Sequence, residues 1–267
     1  MNYIASKKKV KEFTAKGLYF KKKFGQNFLI DSNIVRKIAE KSCNKDCVCL
    51  EIGPGIGSLS EFLCIYAKEL IAYEIDSSII EILKENLKNY DNFKVINEDF
   101  LKADLSYLKN QKIVVCANLP YYITTAIIFK LIESDLDYQS INIMMQKEVA
   151  DRLMAKVNTK DYSALTIILN YLFKIEKLMK VGKEVFMPKP KVDSIVLTLI
   201  PKNRKVNEQL FKLIKDAFRM RRKTILNNLK NDYPNIEIIL NELGFINKRA
   251  QELSEEDFIN ILKKMRT

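Results

Sequence analysis

Short apolar runs alternate with amphipathic stretches between residues 32 and 146, and this alternation limits the possible folds more than any other feature of the chain. The stretch that follows Ile75 has a helical pattern, and its first residues, Asp76 and Ser77, are a candidate helix cap. Strands that alternate with helices predict a parallel sheet with helices on both faces. We therefore predict an α/β fold with five strands, namely Val48–Ile52, Leu70–Ile75, Phe93–Glu98, Lys112–Ala117 and Ile141–Met145.

The chain beyond this region predicts an antiparallel edge strand and a separate helical domain. Residues 164–173 have a helical pattern, and Ile175–Val181 and Ser194–Ile200 are two further predicted strands. A polar linker then leads into amphipathic helices, and the last of them follows a capping box that begins at Ser254. We predict an α/β domain over residues 1–200, with a basic extension over residues 1–23, and a small all-helical domain over residues 201–267.

The chain carries a large excess of positive charge and contains no histidine. Its 45 lysine and arginine residues exceed its 33 acidic residues, which gives a formal net charge of +12. One explanation of such an excess is lysine-rich drift in an AT-biased genome. Drift alone would not cluster the charge, however, and clusters such as residues 21–23 and 219–223 favour a polyanionic partner, above all nucleic acid. The lack of histidine excludes Ser–His and Cys–His nucleophile pairs, histidine-ligated zinc and histidine general bases.

The remaining composition predicts a cytoplasmic protein with reduced cysteines. No apolar stretch reaches the roughly 20 residues that span a bilayer, and the N-terminus lacks the apolar core of a signal peptide. The cysteines form no Cys-x-x-Cys pair, so we expect buried free thiols without a metal ion. They are Cys43, Cys47, Cys49, Cys64 and Cys116.

Glycine, acidic, aromatic and amide residues stand where four of the predicted strands end. The first strand runs into the turn Gly53-Pro54-Gly55, the second reaches Glu74, the third leads to Asp99 and Phe100, and the fourth leads to Asn118. Glycines let the backbone approach a ligand that a Cβ would exclude, and an acid after the second strand can accept hydrogen bonds from ribose hydroxyls. A tight turn, a helix cap or a core aromatic explains each feature singly. Together, at one edge of a sheet, they predict a nucleoside-binding crevice, although the glycine spacing departs from the dinucleotide pattern G-x-G-x-x-G.

Six motifs along the chain carry a family resemblance. They are Phe24–Leu29, Glu51–Gly55, Asn118–Tyr121, Gln146–Arg152, Phe186–Ser194 and Arg221–Thr224. From about residue 17 to its C-terminus the chain resembles the ribosomal RNA adenine dimethyltransferases that act on the small subunit. The resemblance implies a Rossmann-like, S-adenosylmethionine-dependent methyltransferase domain with a helical C-terminal domain. It also implies N6,N6-dimethylation of two adjacent adenines near the 3′ end of 16S rRNA within the 30S subunit, by a cytoplasmic monomer that takes part in ribosome biogenesis.

The resemblance assigns residues to two tasks. The implied cofactor contacts are Asn27, Leu29, Gly53, Gly55, Glu74, Asp99 and Asn118, with Glu74 on the ribose and Asp99 on the adenine amino group. The implied catalytic residues are Asn118, Leu119, Pro120, Tyr121 and Phe186, with Tyr121 and Phe186 on either side of the target adenine. The clusters of positive charge predict the residues that bind RNA. They are Lys189, Lys191, Arg219, Arg221, Arg222 and Lys223, and the last four are expected on one helix. The alternative for these four is an ordinary solvated helix face.

The chemistry that the resemblance implies is compatible with the lack of histidine. The N6 atom of adenine is a poor nucleophile because its lone pair is delocalised into the ring. Hydrogen bonds from N6 to the Asn118 side-chain oxygen and the Leu119 carbonyl would favour a pyramidal nitrogen that can attack a sulfonium methyl group. Pro120 would fix the backbone, and Tyr121 would stabilise the developing cation. The methylated nitrogen can release its proton to water without a general base.

Four residues depart from the family pattern. Val157 and Asn158 stand where Pro-Gly is expected, Ser163 where glycine is expected, and Ala126 where proline is frequent. These departures concern local loop geometry and a helix start.

Two other functions stay open. One alternative is an Erm-type methyltransferase that modifies an adenine of 23S rRNA and confers antibiotic resistance. The other is a ribosome-assembly factor that acts mainly by binding.

Overall fold

The structure is a computed structural model that describes residues 3–15, 27–119 and 123–266, and its secondary structure follows the alternation seen in the sequence. The described helices are α1 (Lys7–Ala15), α2 (Ser32–Ser42), α3 (Ser60–Tyr66), α4 (Ile80–Leu87), α5 (Thr124–Glu133), α6 (Lys147–Leu153), α7 (Ala164–Leu172), α8 (Glu208–Ala217), α9 (Ile225–Leu229), α10 (Ile236–Glu242) and α11 (Glu255–Lys264). The described strands are β1 (Phe28–Leu29), β2 (Val48–Ile52), β3 (Glu69–Tyr73), β4 (Phe93–Ile96), β5 (Ile113–Asn118), β6 (Tyr138–Gln146), β7 (Phe173–Val181), β8 (Phe186–Met187) and β9 (Ser194–Pro201). No described helix is both long enough and apolar enough to cross a membrane.

Seven strands form one sheet in the order β4-β3-β2-β5-β6-β9-β7. The pairs from β4 to β6 are parallel, and β9 runs antiparallel to β6. Strand β2 and nearly all of β5 are buried, as expected for central parallel strands that helices cover on both faces. The prediction of an α/β fold with an antiparallel strand towards the edge is therefore confirmed.

The strand order changes direction between β2 and β5, so these two neighbouring strands form the switch point of the sheet. From β2 the chain moves through β3 to β4 on one side, and from β5 to β6 on the other. In open α/β sheets a ligand crevice forms at such a switch point, outside the carboxyl ends of the strands. The two strands that flank this point end at Ile52 and Asn118.

A second, two-stranded sheet lies outside the predicted elements. Strand β1 pairs antiparallel with β8, and Leu29 is the partner of Phe186 in this pairing. Strands of two residues carry no detectable periodicity, so the sequence pattern does not reveal them. The pairing joins the residues that follow Asn27 to the segment that begins at Phe186.

Part of the basic N-terminal extension is ordered on the α/β unit. Helix α1 contains lysines 7–9, and its Val10 side chain is buried in a cluster with Ile56 and Leu83. The Ile4 N–H donates a hydrogen bond of 2.9 Å to the Glu61 carboxylate. The lysines at positions 21–23 lie outside the described residues.

The chain divides into two compact units, and their boundaries differ from those predicted. One unit contains Met1–Lys147 and Glu176–Ile200, and the other contains Glu148–Ile175 and Pro201–Thr267. The predicted boundary after residue 200 agrees with the second crossing between units. Residues 148–175, which were predicted to lie in the α/β domain, group with the helical unit because α7 packs against α8 and α11.

Local backbone structure accommodates two departures from the family pattern. Asn158, where glycine is expected, has the left-handed backbone conformation (φ 65°) that asparagine tolerates better than most residues. Ser163 caps α7, because its hydroxyl accepts a hydrogen bond from the Thr166 N–H. The predicted capping box at Ser254 is present, and the predicted cap Asp76 accepts a hydrogen bond from the Ser78 N–H.

Candidate active site

One cleft lies at the carboxyl ends of β2, β3 and β5, where the switch point predicts it. Nine of the residues that the resemblance assigns to the cofactor or the reaction line this cleft, namely Asn27, Leu29, Gly53, Gly55, Glu74, Asp99, Asn118, Leu119 and Phe186. They come from sequence segments that span residues 27 to 186, and all belong to the α/β unit. The predicted catalytic residues Pro120 and Tyr121 lie outside the described residues.

The turn after β2 requires glycine at two positions. Gly53 and Gly55 have φ angles of 72° and 60°, a left-handed conformation that side chains disfavour. A Cβ on Gly55 would lie 2.8 Å from the Phe28 ring, and a Cβ on Gly53 would meet no other atom within 4 Å. The turn is thus packed against Phe28 on one side and leaves open space at Gly53, where a ligand can approach the backbone.

Glu74 supports this turn from the end of β3. One carboxylate oxygen accepts a hydrogen bond of 3.1 Å from the Gly55 N–H, and the other accepts one of 2.8 Å from the Asp76 N–H. Burial raises the pKa of Glu74. Each oxygen of a carboxylate has a second lone pair, so both can still accept hydrogen bonds from the hydroxyls of a ribose.

Asn118 is held by the segment that precedes β1. Its side-chain nitrogen donates a hydrogen bond of 3.2 Å to the Asn27 carbonyl oxygen. This bond uses the donor side of the amide, so the side-chain oxygen remains available as an acceptor in the cleft. The Leu119 N–H bonds to the Met144 carbonyl at 3.3 Å, which continues the β5–β6 pairing beyond the strand.

The third strand end contributes an acid and an aromatic ring. Asp99 is partly exposed, and one of its carboxylate oxygens accepts a hydrogen bond of 3.0 Å from the Leu101 N–H. Phe100 is buried and lies edge-on to the Tyr73 ring, with 5.5 Å between the ring centroids. Asp99 therefore keeps oxygen lone pairs for an amino group, and the two rings form an apolar wall.

Glu51 is a cleft residue that the sequence reasoning did not assign to any role. It is 2% exposed, and its Oε2 atom has no hydrogen-bond partner among the described residues. Burial raises its pKa to about 8, so an adjacent cationic ligand group would favour its charged form. A signal was present in the sequence, since a single acid stands in the otherwise apolar strand β2 directly before the glycine turn.

The four basic residues of the helical unit do not lie on a helix, contrary to the prediction. Helix α8 ends at Ala217, and a turn containing these residues leads to α9. The buried Asn228 side chain explains this end, because its nitrogen donates to the Ala217 carbonyl and its oxygen accepts from the Met220 N–H. These bonds hold the turn in place of further helical hydrogen bonds.

The basic residues also differ in their partners within the structure. Arg219 forms ion pairs with Asp216 and Asp232, and the Arg221 guanidinium donates to the carbonyl oxygens of residues 160 and 162. Arg222 and Lys223 are exposed and form no ion pair with any described residue. In the α/β unit, Lys189 pairs with Glu184, and Lys191 is exposed without an ion pair to any described residue.

The parallel sheet and its cleft are typical of a class of protein, namely α/β enzymes that bind a nucleoside cofactor at the carboxyl ends of their strands. The family model for ribosomal RNA adenine dimethylase matches residues 17–266, and the chain belongs to this family. It is therefore a methyltransferase that acts on ribosomal RNA and uses S-adenosylmethionine. Three features of the cleft fit that cofactor. The open space at Gly53 suits its methionine part, the remaining lone pairs of Glu74 suit its ribose hydroxyls, and the buried Glu51 suits its cationic groups.

Relatives in sequence share this length and organisation. The ribosomal RNA small subunit methyltransferase A of Bacillus cytotoxicus is 42% identical over 97% of this chain and 96% of its own length. The protein of the same name from Bacillus mycoides is 42% identical over 98% of this chain and 97% of its own length. The similarity therefore includes both compact units.

Two solved structures share the fold. A dimethyladenosine transferase from Plasmodium falciparum has a TM-score of 0.77, with 31% identity over 89% of this chain and 97% of that one. The 23S rRNA methyltransferase ErmE has a TM-score of 0.70, with 27% identity over 90% of this chain and 100% of that one. Both structures therefore share the fold over most of this chain.

The raised pKa of Glu51 leads to a pH-dependent stability. Between the unfolded value near 4.5 and the folded value of about 8, the folded protein retains a proton that the unfolded chain releases, so stability falls as the pH rises. We predict that Glu51→Gln removes this loss and stabilises the protein by on the order of a few kcal/mol more at pH 8 than at pH 5. Urea unfolding at both pH values measures this difference, with Glu85→Gln on the exposed face of α4 as the control. Equal gains at the two pH values would contradict the prediction.

Proposed function

We propose that this protein dimethylates N6 of two adjacent adenines near the 3′ end of 16S rRNA, within the 30S subunit, as a step of small-subunit biogenesis. The observation that carries this proposal is the Asn118 amide, which is fixed by Asn27 at the end of β5 with its oxygen available to a substrate amine. The 42% identity to small-subunit methyltransferases supports the 16S substrate over the Erm-type alternative, because the 23S enzyme is 27% identical.

The cofactor site is proposed to use the residues that surround the glycine turn. The bound cofactor supplies an electrophilic methyl group on a sulfonium. Glu74 would accept hydrogen bonds from the ribose hydroxyls, and Asp99 would accept one from the adenine amino group. Gly53 leaves open space for the methionine part, and Asn27 and Leu29 line the same cleft. The cationic groups of the cofactor would favour the charged form of the Glu51 carboxylate, and the two charges would then attract each other.

The target adenine is proposed to bind beside Asn118. The Asn118 oxygen and the Leu119 carbonyl would accept the two N6–H bonds, which removes the nitrogen lone pair from the ring and directs it towards the methyl group. Phe186, which is buried at the cleft, would pack on one face of the base, and Tyr121 on the other. Pro120 would fix the backbone between these groups. Proton loss from the methylated nitrogen to water requires no base from the chain.

RNA contacts are proposed for the exposed basic residues that have no internal ion pair. Among the predicted RNA-binding residues, Arg222, Lys223 and Lys191 are exposed and form no ion pair with any described residue. Lys189 can exchange its exposed partner Glu184 for a phosphate, since exposed ion pairs contribute little free energy. Arg219 and Arg221 are bonded within the helical unit, so we assign them to positioning the turn that carries Arg222 and Lys223.

The proposed substrate also indicates the compartment in which the protein acts. Because the substrate is a ribosomal subunit, we infer that the protein acts in the cytoplasm, and one cleft built from a single chain is consistent with a monomer. An assembly factor that acts mainly by binding is the second candidate, and the exposed basic residues favour it equally. The two functions are compatible in one protein.

Methyl transfer to ribosomal subunits tests the proposed substrate. We expect the wild-type protein to transfer labelled methyl groups from S-adenosylmethionine to 30S subunits that lack the modification, and nucleoside mass spectrometry to detect dimethyladenosine in 16S rRNA. Naked 23S rRNA serves as the comparison. Label found only in 23S rRNA would establish the Erm-type alternative, and RNA binding without any transfer would establish the binding alternative.

Substitution of Asn118 tests the assigned reaction. We predict that Asn118→Ala lowers the rate of single-turnover methyl transfer by on the order of 10²–10³-fold, because the variant lacks one oriented acceptor for N6. Binding to 30S subunits should remain. The control is Asn241→Ala, on the exposed surface of the helical unit, which should keep wild-type activity. Turnover of Asn118→Ala at the wild-type rate would refute the role.

Neutralisation of the basic turn tests its contact with RNA. We predict that the double variant Arg222→Gln/Lys223→Gln binds 30S subunits more weakly and reduces the slope of log affinity against log salt by about one to two, because two phosphate contacts are lost. The control, Lys84→Gln/Lys88→Gln, removes the same charge from the exposed face of α4. Equal slopes for the two double variants would mean that the turn is an ordinary solvated surface.

A further inference from the structure

Three cysteines that have no role in the proposed reaction meet in the α/β unit. The Sγ atoms of Cys43, Cys49 and Cys116 all lie within 4.8 Å of one another, and those of Cys43 and Cys116 are 4.0 Å apart. The other two cysteines, Cys47 and Cys64, are buried but do not belong to this group. The group unites positions that are up to 73 residues apart in the chain.

The fold brings these sulfurs together through strand register and a helix end. Cys49 lies on β2, and Cys116 lies on β5 as the partner of Glu51. Since residues two apart on a strand share a face, Cys49, Glu51 and Cys116 lie on one face of the sheet. Helix α2 ends on that face, and Cys43 is its C-terminal cap.

The separation of the sulfurs suits a thiolate-bound metal ion. Zinc–sulfur bonds are about 2.3 Å long, so two thiolates in a tetrahedral zinc site lie roughly 3.8 Å apart. The Cys43–Cys116 distance of 4.0 Å requires only a small movement to reach this geometry. Soft sulfur ligands select ions such as Zn²⁺ and Cu⁺ over hard ions such as Mg²⁺.

The surroundings of the group also contain an unpaired polar atom. The buried Glu51 side chain lies on the same face as Cys116, and its Oε2 atom has no hydrogen-bond partner among the described residues. A thiophilic cation would displace the protons of the thiols when it binds.

The three cysteines differ in exposure. Cys43 is partly exposed, whereas Cys49 and Cys116 are buried. Cys43 is therefore the member of the group nearest to solvent.

We propose that Cys43, Cys49 and Cys116 form a site for a thiophilic cation, represented by Zn²⁺, that ties the end of α2 to the two central strands of the sheet. The site is separate from the methyl-transfer reaction, and the proposal does not depend on the rRNA substrate. Its effect would be structural. The ion would hold β5 in place, and this strand carries both Cys116 and, two residues later, Asn118. The bound ion would hold together three segments that otherwise meet only through packing and backbone pairing.

Metal titration of the reduced, chelator-treated full-length protein tests the site. We expect saturable binding of Cd²⁺, with an ultraviolet sulfur-to-metal charge-transfer band, and competition by Zn²⁺. The Cys43→Ser variant should show a weaker band and bind Zn²⁺ more than about tenfold less tightly, as measured against a chromophoric chelator. Zn²⁺ should raise the thermal unfolding midpoint of the wild type but have little effect on this variant.

Two further variants keep the test decisive. Cys64→Ala removes a buried cysteine outside the group and should bind Cd²⁺ as the wild type does. Cys49→Ala removes a second member of the group, and circular dichroism verifies that each variant is folded. The proposal fails if the wild type shows no saturable charge-transfer band, or if Cys43→Ser and Cys64→Ala bind Zn²⁺ with equal affinity.

Discussion

The parallel pairing of β2 with β5 is the constraint on which the rest of the site depends. Its register places Ile52 beside Ala117, so the glycine turn and Asn118 begin next to each other at one edge of the sheet. A shift of one residue would turn the buried side chains of either strand to the opposite face, so packing on both faces fixes the register. The spacing between the glycine turn and the Asn118 amide is thus set by the core of the sheet.

Buried acids then connect this edge to its surroundings. Glu74 joins the glycine turn to the segment after β3 through two backbone hydrogen bonds. Glu51 lies on the neighbouring strand, next to Cys116, and carries a cost of burial that a cation can offset. Burial of such groups destabilises the isolated fold, which is common where a protein retains charge for binding.

The sequence predicted most of the sheet and the cleft, but only where a local pattern reports the structure. Strands β2 and β5 were predicted because apolar runs mark buried parallel strands, whereas β6 was predicted too short because Gln139 and Ser140 interrupt its run. The two-residue strands β1 and β8 have no pattern to find. The end of α8 depends on hydrogen bonds from Asn228, and the cysteine group depends on contacts between distant segments. Neither can be seen in residue spacing alone.

The hydrogen bond from Asn118 to the Asn27 carbonyl also links two binding events. In the proposed function, Asn27 contacts the cofactor and Asn118 contacts the acceptor base. A ligand that immobilises Asn27 also immobilises the amide that receives the base, so the second ligand loses less conformational entropy when it binds. Cofactor and adenine should therefore bind with positive cooperativity, and by thermodynamic reciprocity each raises the affinity of the other by the same factor.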